Sequence, residues 1–454
     1  MKHITFALIA IIALASVPRA DTPNVYAIRG ARIVTAAGPP IDSGTIVMRR
    51  GVIEAVGASV TVPADADVID GSGLTVYPGL IDLGNTRAAD QPVPQAPQNM
   101  RTSADLERWK RAQILKPQSR AADAVKVDDA DLTKLASAGI TSVLALPSGD
   151  VVSGQSALVD VVAPPDEPQI GNIVDQRRGL IVVKTPVALH VSFPNQPRVG
   201  ANAYPQSLMG VIAFVRQAFL DAQHYQLEQQ AVVARRLQPG DRAMPDDPVL
   251  EAMQPAIERK IPVAFEANQT RDILRALKMA KELKLEPIVT GGRHADEVAA
   301  DLKAQNVRVI LSLNYPQRPR TLAPDAEEAL ETLRDRANAP KAAGELAKAG
   351  VTFAFETAGL TEPKDFVKNA AKAITAGLAE DAAVRALTID AATIAGAADR
   401  LGSIEKGKAA NLIVTDGNLF DEKTKITRVF VEGRAVALDA APTANGGRGR
   451  GRGQ

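Results

Sequence analysis

Metal-assisted hydrolysis is the first chemistry to test, because imidazole and carboxylate side chains are what hydrolytic metal centres are built from. The chain offers four histidines, His3, His190, His224 and His294, and no cysteine. A histidine-built site would have to use nearly all of them. His190 lies near the end of an apolar run, Ala188-Leu189-His190-Val191. Glu266 closes a second run, Ile261-Pro262-Val263-Ala264-Phe265-Glu266, and could bind a metal. His294 follows a third run, Pro287-Ile288-Val289-Thr290, at the start of a helix-prone segment. His224 and Tyr225 fall in a long helix-prone stretch and read as packing residues. Ser153-Gly154-Gln155-Ser156 reads as a loop with pocket-lining hydroxyls, and no base accompanies it to make a nucleophile.

Composition excludes other chemistries. Without Cys there is no disulfide framework, thiol nucleophile, zinc–thiolate site or iron–sulfur cluster. With 53 Lys+Arg against 52 Asp+Glu, the net charge of +1 gives no basis for binding nucleic acid by phosphate neutralisation. No P-loop, G-x-S-x-G or strand-borne G-x-G-x-x-G is present. A hydrophobic content of 46% suits a globular protein with a substantial core.

The ends are distinct from the body. Met1-Lys2-His3 followed by the apolar run Ile4 to Val17 reads as a signal peptide over residues 1–20. That run is too short to span a bilayer, so an exported, periplasmic or secreted protein with no membrane span is expected. Cleavage after either Ala15 or Ala20 fits. Residues 441–454, with alternating Gly and Arg, read as a disordered tail. Setting both ends aside leaves a slightly acidic body.

Three zones position the candidate residues. Residues 21–75 show short alternating strands with Gly and Pro punctuation, the pattern of an antiparallel sheet. Residues 76–398 alternate apolar strands with amphipathic helices, as in Val307 to Leu311 after a helix over 295–304. Thr270 can cap a helix whose Ile273, Leu274, Leu277, Ala280 and Leu283 share one face. Buried parallel strands of this kind, with repeated Ala-Gly openings before Ile140 and Val351, predict a (β/α)8 TIM-like barrel. Short strands return over 399–440, so the two flanking pieces predict one small composite β-sandwich domain formed from both termini. The Pro-containing stretch 88–125 reads as a connection over the barrel mouth.

Three blocks carry a resemblance. They are Asp70-Gly71-Ser72-Gly73-Leu74-Thr75-Val76-Tyr77-Pro78-Gly79-Leu80-Ile81-Asp82, Ala386-Leu387-Thr388-Ile389-Asp390-Ala391-Ala392, and Arg400-Leu401-Gly402-Ser403-Ile404-Glu405-Lys406-Gly407-Lys408-Ala409-Ala410-Asn411-Leu412-Ile413-Val414. Together they resemble the amidohydrolase superfamily, especially its imidazolonepropionase-like and prolidase-like branch, from about residue 25 to 436. The resemblance implies metal-dependent hydrolysis of amide, cyclic amide or peptide C–N bonds. It implies a His-x-His after the first barrel strand and often a Lys or Glu from the fourth. It adds one His each from the fifth and sixth and an Asp from the eighth. One or two divalent ions would polarise the scissile carbonyl and supply hydroxide, the Asp taking the water's proton.

Carried onto this chain, those positions hold Gly84 and Thr86 for His-x-His, Glu266 and Thr290 for the later histidines, and Ala358 for the Asp. No catalytic, cofactor-binding or metal-ligating residue is therefore assigned. The expected protein has a degenerate metal site and no cofactor, a pseudoenzyme acting as a non-catalytic subunit or as a binder of a small molecule or peptide. Its expected partner is an active amidohydrolase paralogue or a second copy of itself. The alternative is an active amidohydrolase or peptidase with a rearranged site around Glu266, completed by His190 and His294 and loaded with Zn or another divalent metal. A third reading is an interaction module using the exterior and the Arg-Gly tail.

Overall fold

The computed structural model describes residues 25–89, 101–162, 180–197, 204–235, 246–323 and 325–438. The expected signal peptide and Gly/Arg tail lie outside these residues. Five strands open the chain: β1 (Val25–Ile33), β2 (Ile41–Arg49), β3 (Val52–Gly57), β4 (Asp67–Asp70) and β5 (Thr75–Pro78). Ten more follow in the middle: β6 (Leu80–Asn85), β7 (Ile140–Ala145), β8 (Val152–Gln155), β9 (Ala157–Asp160), β10 (Ile181–Lys184), β11 (Leu189–Ser192), β12 (Val263–Ala267), β13 (Pro287–Gly291), β14 (Arg308–Ser312) and β15 (Phe353–Glu356). Three close it: β16 (Leu412–Thr415), β17 (Ile426–Val431) and β18 (Arg434–Val436).

The protein is mixed α/β with three sheets. The first runs β18-β17-β16-β5-β1-β2-β3, with β4 beside β1, and so joins strands from both ends of the chain. It is not purely antiparallel, because β4 and β5 pair with β1 in parallel. Its apolar face buries Ile28, Ile46, Leu412 and Phe430 together.

The middle strands form a four-stranded sheet, β10-β9-β7-β6, and a six-stranded sheet, β15-β14-β13-β12-β11-β8. From β11 to β15 every pairing is parallel, as buried apolar strands linked by helices require. Two features depart from the expected uniform barrel. The stretch Val152 to Asp160 is two strands and not a loop, and it runs antiparallel to both β7 and β11. Pairing continues through its break, where Ser156 N–H donates to the Ala188 carbonyl at 3.0 Å. Among the described residues the ladders also do not close into one ring. Where β6 meets β15, side-chain hydrogen bonds of Asp82 link the strands.

Alternation along the strands sets the site. Phe265, Val289, Val309 and Phe355 face the helices. Their neighbours Ala264, Ile288, Ile310 and Ala354 form an inner core with Ile81, Leu83 and Leu144. The period of two then brings Glu266, Thr290, Ser312 and Glu356 to that inner side one step further along, at the carboxyl ends of the strands. Helix Thr270–Leu283 covers β12 and β13 with Ile273, Leu277, Ala280 and Leu283, whereas Leu274 is exposed, outside the apolar stripe. Gln269 occupies its cap position, and the Thr270 hydroxyl instead bonds Glu297.

Among the described residues no helix is long and apolar enough to cross a membrane.

Candidate functional site at the strand ends

A cavity of about 770 Å³ opens at the carboxyl ends of the strands. That volume suits a small ligand. Glu266, His190, Glu356 and Thr290 line it from β12, β11, β15 and β13. The turn after β13 brings in Arg293; Gly291 and Gly292 both have positive φ there, at 81° and 52°. Helix Ser103–Ile114 and the residues after it supply Gln113 and Lys116, whose Nζ donates to the Ser148 carbonyl at 3.0 Å. Part of the expected mouth connection is thus a helix bordering the cavity; residues 90–100 lie outside the described set.

Glu266 is reached by solvent from the cavity while protein surrounds it on its other sides, and that desolvation raises its carboxyl above the ordinary range. Among the described residues its carboxylate has no hydrogen bond or ion pair, Arg293 included. His190 pairs in register with Ala264 and turns to the inner side of the sheet. Burial holds its imidazole down to about 4, so it is neutral at pH 7, and its Nε2 has no partner.

Glu356 is fully enclosed. Burial, then the charges of Asp82 and Glu266, push its carboxyl well above the ordinary range, against a hydrogen bond from the Gly291 N–H. It also explains Gly84. A Cβ at Gly84 would lie 2.6 Å from Glu356 Cβ and 2.6 Å from its Oε2. The Glu356 side chain fills the space a side chain at 84 would need. Behind it, Asp82 Oδ1 accepts from Gly84 N–H at 3.0 Å and Thr357 N–H at 2.8 Å. Its Oδ2 accepts from Thr357 Oγ1 at 2.6 Å and Asn85 Nδ2 at 3.3 Å. Burial still raises Asp82, and these bonds oppose the rise.

The expected residues separate. Glu266 and His190 share the cavity, with Thr86, Thr290 and Ala358 on its wall. His294 does not join them. Its Nδ1 is 3.3 Å from Glu297 and its Nε2 is 3.2 Å from Asp335, in a second cavity. His224 is exposed and sits 3.0 Å from Glu228, so it is a surface residue and not a packing one; its neighbour Tyr225 is buried. Ser153 lines the cavity from β8. Sequence reasoning passed over Glu356 and Asp82. The available signal was an acidic residue ending or interrupting an otherwise apolar strand.

These features place the chain in a family. The amidohydrolase family model matches residues 201–436, just over half its length, and the chain belongs to that family. The amidohydrolase tasK of Hapsidospora irregularis is 23% identical over 406 residues, which are 86% of this chain and 40% of that protein. The chain thus spans 40% of the length of that curated relative. An amidohydrolase structure from Thermotoga maritima MSB8 superposes with a TM-score of 0.72 at 24% identity, covering 91% of this chain and 100% of that one. A prolidase solved with N-methylphosphonate-L-proline gives a TM-score of 0.55 at 18% identity, over 91% and 100% of the two chains. At these identities the likeness to the solved structures concerns the fold.

Do the residues present fit the divalent ion that the family implies? A metal needs three or more convergent donors near 2 Å. Among the described residues no group of three His, Asp or Glu side chains could hold one. Gly84 and Thr86 bring no imidazole or carboxylate, and Glu356 occupies the space over Gly84. The donor set does not fit.

Proposed function

We propose that this amidohydrolase-family chain binds a small molecule or peptide at the strand-end cavity without a metal centre, as a non-catalytic subunit beside an active relative or a second copy of itself. The observation that carries this reading is the donor set, with Gly84, Thr86, Thr290 and Ala358 at four ligand positions and Glu356 packed over Gly84. The same reading takes the two middle sheets as arcs of a (β/α)8 barrel over residues 76–398. It takes residues 21–75 and 399–440 as the two halves of a composite β-sandwich. The mixed sheet built from both chain ends and the likeness to amidohydrolase structures support it.

A second reading keeps the family's hydrolysis of C–N bonds with a rearranged site. Family membership supports a hydrolase, and the unpartnered His190 Nε2 in the same cavity as Glu266 favours that site over others. Metal analysis of the purified protein separates the two. The first reading expects no stoichiometric Zn, Mn or Fe, and tightly bound metal at one per chain overturns it. Under the second, metal is bound and Glu266→Ala removes it. Co-purification with an intact amidohydrolase tests the subunit role, and elution of the chain alone counts against it.

A further inference from the structure

In the cavity just described, acidic and acceptor groups stand where neither metal nor protein cation neutralises them. Glu266 has no partner among the described residues. Glu356 lies near enough for the charges of Glu266 and Asp82 to act on it. Lys116 turns its ammonium to the Ser148 carbonyl. His190 adds an independent sign of a missing ligand atom, a buried Nε2 with nothing bonded to it. An unmet buried polar atom costs about 1–3 kcal/mol, so such atoms persist mainly where function uses them.

We propose that the cavity floor is a receptor for an organic ammonium group, with Glu266 and Glu356 as its anionic partners and His190 Nε2 as a further acceptor. The proposal rests on the metal-free ligand-binding reading above and names the ligand's chemistry. An ammonium suits this set better than a divalent ion does. It carries three donors on a compact charge and bonds at about 2.7–2.9 Å, with no fixed polyhedron to satisfy. In the tautomer protonated at Nδ1, His190 offers Nε2 as an acceptor. The alkyl part of the ligand would lie toward Leu83 and Leu146 on the cavity wall. A carboxylate ligand would instead have to seek Arg293, which also borders the second cavity.

The test uses the full chain and three probes of one size: n-butylammonium, butan-1-ol and butanoate, titrated calorimetrically at millimolar concentration. Butylammonium should bind at least about tenfold tighter than butan-1-ol, a difference of about 1.4 kcal/mol. Glu266→Gln should erase that preference while leaving the unfolding midpoint unchanged, since Glu266 bonds nothing in the fold. Equal binding of amine and alcohol, preference for butanoate, no amine binding at all, or an unchanged preference in Glu266→Gln would each overturn the proposal. Stoichiometric metal in the untreated protein is a separate result. It overturns the metal-free reading, and repeating the titration after chelation then decides the ammonium question by itself.

Discussion

Buried acid groups occur in two regions of this protein under opposite rules. At the joint between the middle strands and the mixed sheet, Asp160 Oδ1 accepts from Ser142 Oγ at 2.6 Å and from Asn411 Nδ2 at 2.9 Å. Asn411 in turn accepts from the Glu432 N–H at 2.7 Å. Side chains and backbone from separate parts of the chain thus converge on one carboxyl. At the cavity, Glu266 meets no partner, and His190 Nε2 is left open. Asp82 stands between the two cases: it borders the cavity, yet four hydrogen bonds turn it into a strap from β6 to the residue after β15. Acid groups that bridge elements serve the fold, and those that bridge nothing face the cavity. Residue type alone does not tell them apart.

Removing the strap should have the largest effect. Asp82→Ala leaves four donors short of an acceptor at a closed seam and should cost about 3–5 kcal/mol, read from the denaturant midpoint. A loss under about 1 kcal/mol would show that the seam holds without it. Asp160 should act through pH. Burial comes first among the causes that push it up to about 7, opposed by the bond from Ser142. Its folded value lies above the unfolded one, near 3.9, so the native state holds the proton more tightly. Its stabilising contribution is therefore full below about pH 4 and is lost as pH rises through about 7, by up to about 4 kcal/mol. Asp160→Asn should flatten that slope, whatever it does to absolute stability. An unchanged slope would remove Asp160 as its source.

How much of this contrast was readable from the residues alone? The strand from Val263, the strand from Pro287 and the long helix now seen as Leu208–Arg235 follow from apolar runs and helical periodicity. The antiparallel stretch Val152 to Asp160 did not, because direction depends on which neighbours a strand finds and leaves no mark on its own composition. Nor did the opposite fates of His190 and His294. Both lie near strand ends in sequence, but His190 alternates inward with Ala264, while His294 follows a tight turn and meets Glu297 and Asp335. Glu356 was visible as an acidic strand end; its claim on the space over Gly84 needed the third dimension, since residues 272 positions apart share it.

His190 should show the opposite pH sign from Asp160. Burial lowers it to about 4, below the unfolded value of about 6.5. The unfolded chain therefore takes up the proton first, and stability contributed above about pH 6.5 is lost as pH falls toward 4, by up to about 3 kcal/mol. His190→Gln should remove that acid-side slope and leave the slope from Asp160 in place. If both slopes change together, the two regions are coupled and the contrast between them fails.

The smallest expected effect tests the cavity's own packing. Gly84→Ala puts a methyl group 2.6 Å from Glu356 Cβ and Oε2, and overpacking of this kind costs about 1–3 kcal/mol. If Glu356 is the obstacle, the cost should largely vanish on a Glu356→Ala background, because the double variant returns the space. Measured by a double-mutant cycle, the coupling should then be about 1 kcal/mol or more. Additive losses would mean that the backbone, and not the Glu356 side chain, excludes a residue larger than glycine at 84. The position would then be closed to any side chain by the path of β6 itself, with Glu356 free to turn toward a ligand.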